Sequence, residues 1–113
     1  MDRFEAGWLF DFYGPLLTPH RQQVLRLYLE EDLSLGEIAR QTGITRQGVH
    51  DALRNAQAQL ADYESKLGLL ERYRTVHAQV AFCMDCLSRV RPLPGSEAAL
   101  EEAAQALERI RRV

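Results

Sequence analysis

Apolar residues recur at steps of three and four along the whole chain, and no stretch alternates apolar with polar as a half-buried strand does. The pattern predicts an all-α protein. Phe4, Trp8 and Phe12 stand four apart and share one face of a first helix, which Gly14-Pro15 ends. Thr18 then caps a second helix with Pro19 at its first position, running to about Glu30 and burying Val24, Leu25, Tyr28 and Leu29. Ser34-Leu35-Gly36-Glu37 has the spacing of a capping box. The short helix it opens turns Leu35, Ile38 and Ala39 inward and closes at Thr42-Gly43. Thr45 caps a long helix reaching about Lys66 or Leu67, and past Gly68 another helix runs from about Leu69 to Arg91. Pro92-Leu93-Pro94-Gly95 reads as a linker, with Ser96 as the cap of a final helix. That helix starts with Glu97, Glu101 and Glu102 and ends with Arg109, Arg111 and Arg112, an order that offsets the helix dipole.

Residues 35–54 meet the demands of a helix-turn-helix in sequence. Ala39 is small where the second helix crosses, Gly43 supplies the positive φ of the turn, and Ile44 packs beneath it. Val49 and Leu53 form the buried side of the second helix. Its outward face carries Gln47, His50 and Arg54, with Arg46 near the end that enters a major groove in DNA-binding members of this architecture. Gln and Arg can pair bidentately with adenine and guanine edges. The other reading is that the motif packs helices and serves protein contacts. Asp51, beside His50 and Arg54, favours that reading because it would meet phosphate with like charge.

From Val49 the apolar positions continue as Leu53, Ala56, Leu60, Tyr63, Leu67 and Leu70, alternating steps of four and three. That is a heptad seam, and it resumes as Val76, Val80, Cys83, Leu87 and Val90, then in the last helix as Leu100, Ala103, Leu107 and Ile110. A seam of this length must be buried. It predicts a homodimer held by the helices after residue 45, or a hairpin around Gly68 in which the two long helices fold on each other. The expected organisation is a helix-turn-helix core over 1–68 and a dimerising helical extension over 69–113, forming one compact unit.

Composition narrows the function. At 113 residues with 46% hydrophobic and 27% charged residues, the chain can bury one modest core. No apolar run is long enough to span a bilayer, and the first residues lack a basic start followed by an apolar stretch, so a cytoplasmic location is expected. The net charge of −2 argues against a protein whose main task is to grip phosphates. Residues 1–33 set Asp2, Glu5, Asp11, Glu30, Glu31 and Asp32 against Arg3, Arg21 and Arg26.

Cys83-Met84-Asp85-Cys86 has the Cys-x-x-Cys spacing, but no second pair accompanies it. Reduced structural thiols are expected there, with no metal. His20, His50 and His77 are isolated, and the glycines form no phosphate-cradling loop. No catalytic residue and no cofactor are expected. The reading is of a protein that is not an enzyme.

Four stretches carry a family resemblance. They are Leu9–Thr18, Leu27–Ala39, Thr45–Asp51 and Tyr63–Leu70, and together they resemble the YlxM family of small bacterial helix-turn-helix proteins over about residues 8–72. The same stretch is similar to the promoter-reading region 4 of sigma factors, a winged-helix-like fold without a wing. From Arg74 onward no family pattern is recognised. The resemblance implies a regulatory protein of the signal recognition particle pathway. Its implied partners are a second copy of itself and the particle's GTPase, its receptor or its RNA, with no small-molecule substrate. The alternative is a transcription regulator that reads DNA through Arg46, Gln47, His50 and Arg54, weakly in view of the charge.

Overall fold

The side chain of Asp2 accepts the Glu5 amide at 2.7 Å and so opens the first helix, α1, over Arg3–Tyr13. The structure is a computed structural model that describes residues 1–112. One 3₁₀ turn, Gly14–Leu16, leads to α2 (Pro19–Leu29), capped by Thr18 with Pro19 in the first turn. Then come α3 (Leu35–Thr42), α4 (Arg46–Leu67), α5 (Leu69–Ser88) and α6 (Glu97–Arg111). Among the described residues there is no strand, and no helix is long and apolar enough to cross a membrane.

Contacts divide the chain into two compact units, Met1–Leu70 and Glu71–Val113, where one unit was expected. The helix break falls at Gly68, as the sequence indicates, but the first unit keeps Leu69 and Leu70 because Leu70 is buried.

In the first unit α4 is the spine. It packs against α1, α2 and α3, and its stripe of Val49, Ala52, Leu53, Ala56 and Leu60 is buried beneath them. The seam read for a dimer or a hairpin is therefore largely filled by α1–α3 of the same chain. Val49, Leu53, Leu60 and Leu70 are buried and Tyr63 is half-buried, while Leu67 is 56% exposed. Opposite the stripe, α2 contributes Val24, Leu25 and Leu27, with Tyr28 and Leu29 half-buried at the edge. On α1 the core face is Ala6, Leu9, Phe10 and Tyr13. The four-residue repeat of Phe4, Trp8 and Phe12 lies to the side: Phe4 is 75% exposed and the other two are half-buried.

Polar groups lock these helices. Arg3 reaches the end of α2, where its guanidinium donates to the Tyr28 carbonyl, lies over the Tyr28 ring and pairs with Asp32 at 2.8 Å. Arg21 donates to Gln59 Oε1 at 2.8 Å, and Gln59 Nε2 donates to the Tyr63 hydroxyl at 2.9 Å, joining α2 to α4.

The α4–α5 junction has its own device. Gly68 adopts φ 62°, which a side-chain-bearing residue resists, and its N–H closes α4 on the Glu64 carbonyl. The first amides of α5 would then be orphans. The Leu69 amide instead donates to the buried Tyr13 hydroxyl at 3.0 Å, and the Leu70 amide to Glu64 Oε1 at 3.0 Å. Tyr13 itself donates to the same Glu64 oxygen at 2.6 Å. One phenol and one carboxylate thus seat two helix ends.

The second unit has little core. Among its described residues only Val80 is buried, and α6 buries none. Helix α5 stops at Ser88, short of the expected Arg91, because Arg91 precedes Pro92 and is steered away from helical geometry. Ser96 does not cap α6 with its side chain. Its backbone is already helical (φ −100°, ψ −9°), whereas a capping residue is extended, and its hydroxyl bridges the Leu93 N–H and carbonyl, each at 2.8 Å.

Burial separates two leucines that the heptad pattern treats alike. Leu60→Ala is expected to cost about 2–5 kcal/mol, and Leu67→Ala less than about 1 kcal/mol, in urea unfolding of the whole chain. At Tyr13, burial first and then the Glu64 hydrogen bond hold the phenol pKa above its ordinary value of 10.0. A raised pKa means the contribution is complete below about pH 10 and is lost as pH rises beyond it. Wild type should therefore lose more stability between about pH 9 and 11 than Tyr13→Phe, followed by circular dichroism on both.

Candidate functional site: the outer face of the helix-turn-helix

The turn between α3 and α4 is built as its sequence demands. Ser34 Oγ accepts the Glu37 amide at 3.1 Å and Glu37 Oε1 accepts the Ser34 amide at 3.2 Å, so the capping box is closed. The Ser34 backbone amide first, and then the Ser34 hydroxyl, hold the Glu37 carboxyl below its ordinary range, with the Arg40 charge adding to the effect. Gly43 ends α3 in the left-handed region at φ 78° and returns its N–H to the Ala39 carbonyl at 2.9 Å. Ile38 is buried below the turn, with Leu35, Ala39 and Ile44 half-buried around it. Thr45 Oγ1 accepts the Gly48 amide at 2.9 Å and starts α4.

This geometry puts Arg46, Gln47, His50 and Arg54 on the exposed first turns of α4. They are brought to one end of the helix, but not as four free side chains. Gln47 Nε2 donates to Asp51 Oδ1 at 3.0 Å, and His50 Nδ1 lies 3.5 Å from the same oxygen. A single carboxylate oxygen engages both. Arg46 and Arg54 make no ion pair among the described residues. With Arg40 on α3, the face offers three guanidinium groups against Glu37 and Asp51.

Sequence reasoning missed a polar pair that joins α1 to the end of α4, Tyr13 with Glu64. They are 51 residues apart, and no local pattern links them. In the second unit Cys83 is exposed and Cys86 half-buried, both as free thiols, with Arg89 3.8 Å from the Cys86 sulfur. Among the described residues no three His, Cys, Asp or Glu side chains are grouped to hold a metal ion.

A capped short helix, a left-handed glycine and a second helix with an exposed polar start define the class: this is an all-helical helix-turn-helix protein. The chain belongs to the UPF0122 family, described as "Putative helix-turn-helix protein, YlxM / p13 like", whose profile matches residues 2–88. That match runs past Arg74, where the residue pattern alone showed no resemblance. The chain is similar to the "UPF0122 protein" of Shouchella clausii, 37% identical over 107 residues that cover 95% of this chain and 92% of the relative. It is 39% identical to that of Acetivibrio thermocellus over 104 residues, covering 91% and 86%. The relative in Desulforamulus reducens is 54% identical over 65 residues, covering 58% of this chain and 56% of the relative.

The charge of the face sets its capacity for DNA. Three arginines can neutralise three phosphates, giving a slope of log affinity against log salt no steeper than about −3 per chain. Anisotropy with random duplex DNA at physiological salt should show binding weaker than about 10⁻⁴ M. Asp51→Ala removes a repelling carboxylate and frees Gln47, so it should strengthen that binding. Tight binding by the wild type, weakened by Arg46→Ala with Arg54→Ala, would reverse this account.

Proposed function

We propose that this chain is a regulatory protein acting through protein contacts, and that its target is the signal recognition particle pathway, through the particle's GTPase or its receptor. The observation that carries the first part is Asp51 on the outer face of α4. A carboxylate that occupies Gln47 and faces His50 removes base-reading donors and adds repulsion toward phosphate. The acidic surface of residues 1–33 acts in the same direction. The pathway itself rests on the YlxM resemblance of residues 8–72 and on family membership.

Reading of DNA through Arg46, Gln47, His50 and Arg54 remains the second reading, favoured by the exposure of all four side chains. A homodimer is part of the proposal, but its surface differs from the seam first read. Five of the seven seam positions from Val49 to Leu70 are buried within one chain. Val76 and Phe82 of the second unit are 38% and 61% exposed, and a unit with so little buried surface of its own gains from a second copy.

The test uses the purified whole chain with the particle's GTPase and its receptor. Stoichiometric binding to one of them, with at least a twofold change in their joint GTP hydrolysis, is the expected result. Absence of both effects, together with tight salt-sensitive binding to a defined duplex, would replace the proposal with the DNA reading. Sedimentation at tens of micromolar should show the dimer, and a monomer there would remove it.

A further inference from the structure

The first unit carries an open groove of about 580 Å³ whose lining includes Phe4, Gly7, Trp8, Asp11, Leu29 and Glu30. Its walls are α1 and the end of α2. Aromatic and aliphatic carbon makes the floor: Phe4 is 75% exposed and stands edge-on to Trp8, their centroids 6.4 Å apart. A glycine inside an exposed helix costs about 1 kcal/mol relative to alanine. At Gly7 nothing in the protein explains that cost, because a Cβ there would meet nothing within 4 Å. The missing side chain leaves room for a ligand to approach the α1 backbone.

The rim is acidic. Asp11 makes no ion pair among the described residues, and Glu30 is only loosely paired, with Arg26 at 3.6 Å. Arg3 in the lining is already engaged by Asp32 and the Tyr28 carbonyl, and Arg26, whose guanidinium lies 5.9 Å from the centroid of the Phe10 ring, pairs with Glu30. The segment 1–33 that carries the groove holds six acids against three arginines, with Asp2 engaged as the cap of α1.

We infer that this groove docks a basic amphipathic helix from a partner protein. A helix laid in a groove between two helices anchors through apolar residues about one turn apart. An 11-residue α1 is about 16 Å long, which matches roughly three turns of such a ligand and three anchors. Lysine or arginine flanking the anchors meets Asp11 and Glu30, and the unpaired carboxylate steers the approach. A second copy's α6 fits poorly. It has an apolar stripe, but Glu97, Glu101, Glu102 and Glu108 would repel the rim.

This inference rests on the proposed role in protein contacts and names the chemistry of the partner segment. Trp8 is the chain's single tryptophan, so its emission reports groove occupancy directly. The whole protein is titrated with a 14-residue leucine/lysine amphipathic peptide, with its leucine/glutamate counterpart, and with buffer dilution alone. A saturable blue shift of Trp8 with the lysine peptide, at least tenfold weaker with the glutamate peptide, is expected. Gly7→Leu should fill the groove, keep the helical content and melting point, and weaken the lysine peptide at least tenfold. Asp11→Lys should narrow the difference between the peptides. Equal response to both peptides, no response, or an unchanged affinity in a folded Gly7→Leu variant would overturn the inference. A shift on dilution alone would overturn it in favour of a second copy. A chain that ignores the peptide yet binds the targeting GTPase loses the groove alone. One that takes the lysine peptide selectively but binds neither GTPase nor receptor keeps the groove and loses the pathway.

Discussion

The buried stripe of α4 is the constraint on which the first unit depends. Val49, Leu53, Ala56 and Leu60 must leave water, and three helices from the preceding part of the chain cover them. Once that stripe is satisfied within one chain, α4 has only its outward side left to offer, beginning with the exposed polar first turns. The turn at Gly43 fixes where the exposed start lies, and the Tyr13–Glu64 pair fixes how the helix ends at Gly68. Core packing and the placement of the outward face are therefore one problem. A change that loosens Leu60 or Tyr13 also disturbs the frame that presents Arg46 and Arg54.

The local parts of the fold were legible in the sequence because each rests on residues close together. The capping box of Ser34 and Glu37, the left-handed Gly43 and Gly68, and the Thr18 and Thr45 caps all concern atoms within one helical turn. The heptad spacing from Val49 also pointed to a buried stripe. What it could not identify was the covering surface, since the same period suits a coiled-coil mate or three short helices of the same chain. The aromatic repeat of α1 was conspicuous but not inward. Leu9, Phe10 and Tyr13 bury a different face, and only the packed structure separates it from that of Phe4 and Trp8. Ser96 shows the limit of motif reading in the other direction: the residue type suits a cap, but the Pro92–Gly95 linker delivers it in a helical conformation.

The candidate site was half legible. The positions of Arg46, Gln47, His50 and Arg54 followed from helical spacing, and all four are exposed. That Asp51 would engage two of them depends on rotamers across one turn, which spacing allows without requiring. The groove beside Trp8 was not legible, because it requires α2 to end next to α1, as Arg3 with Asp32 and the Tyr28 carbonyl arranges. Its acidic rim and absent side chain at Gly7 place an apolar, negatively edged surface on the unit whose helix-turn-helix face is poorly suited to phosphates.

The central claim is that this helix-turn-helix protein works through protein contacts rather than through the polar start of α4. Amide chemical-shift mapping of the isotopically labelled chain, titrated with the particle's GTPase and separately with duplex DNA at physiological salt, addresses it most directly. The account predicts saturating shifts on adding the GTPase, centred on Phe4–Asp11 and Leu29–Glu30, and almost none on adding DNA. Saturating shifts at Arg46, Gln47, His50 and Arg54 with DNA, and none with the GTPase, would contradict it.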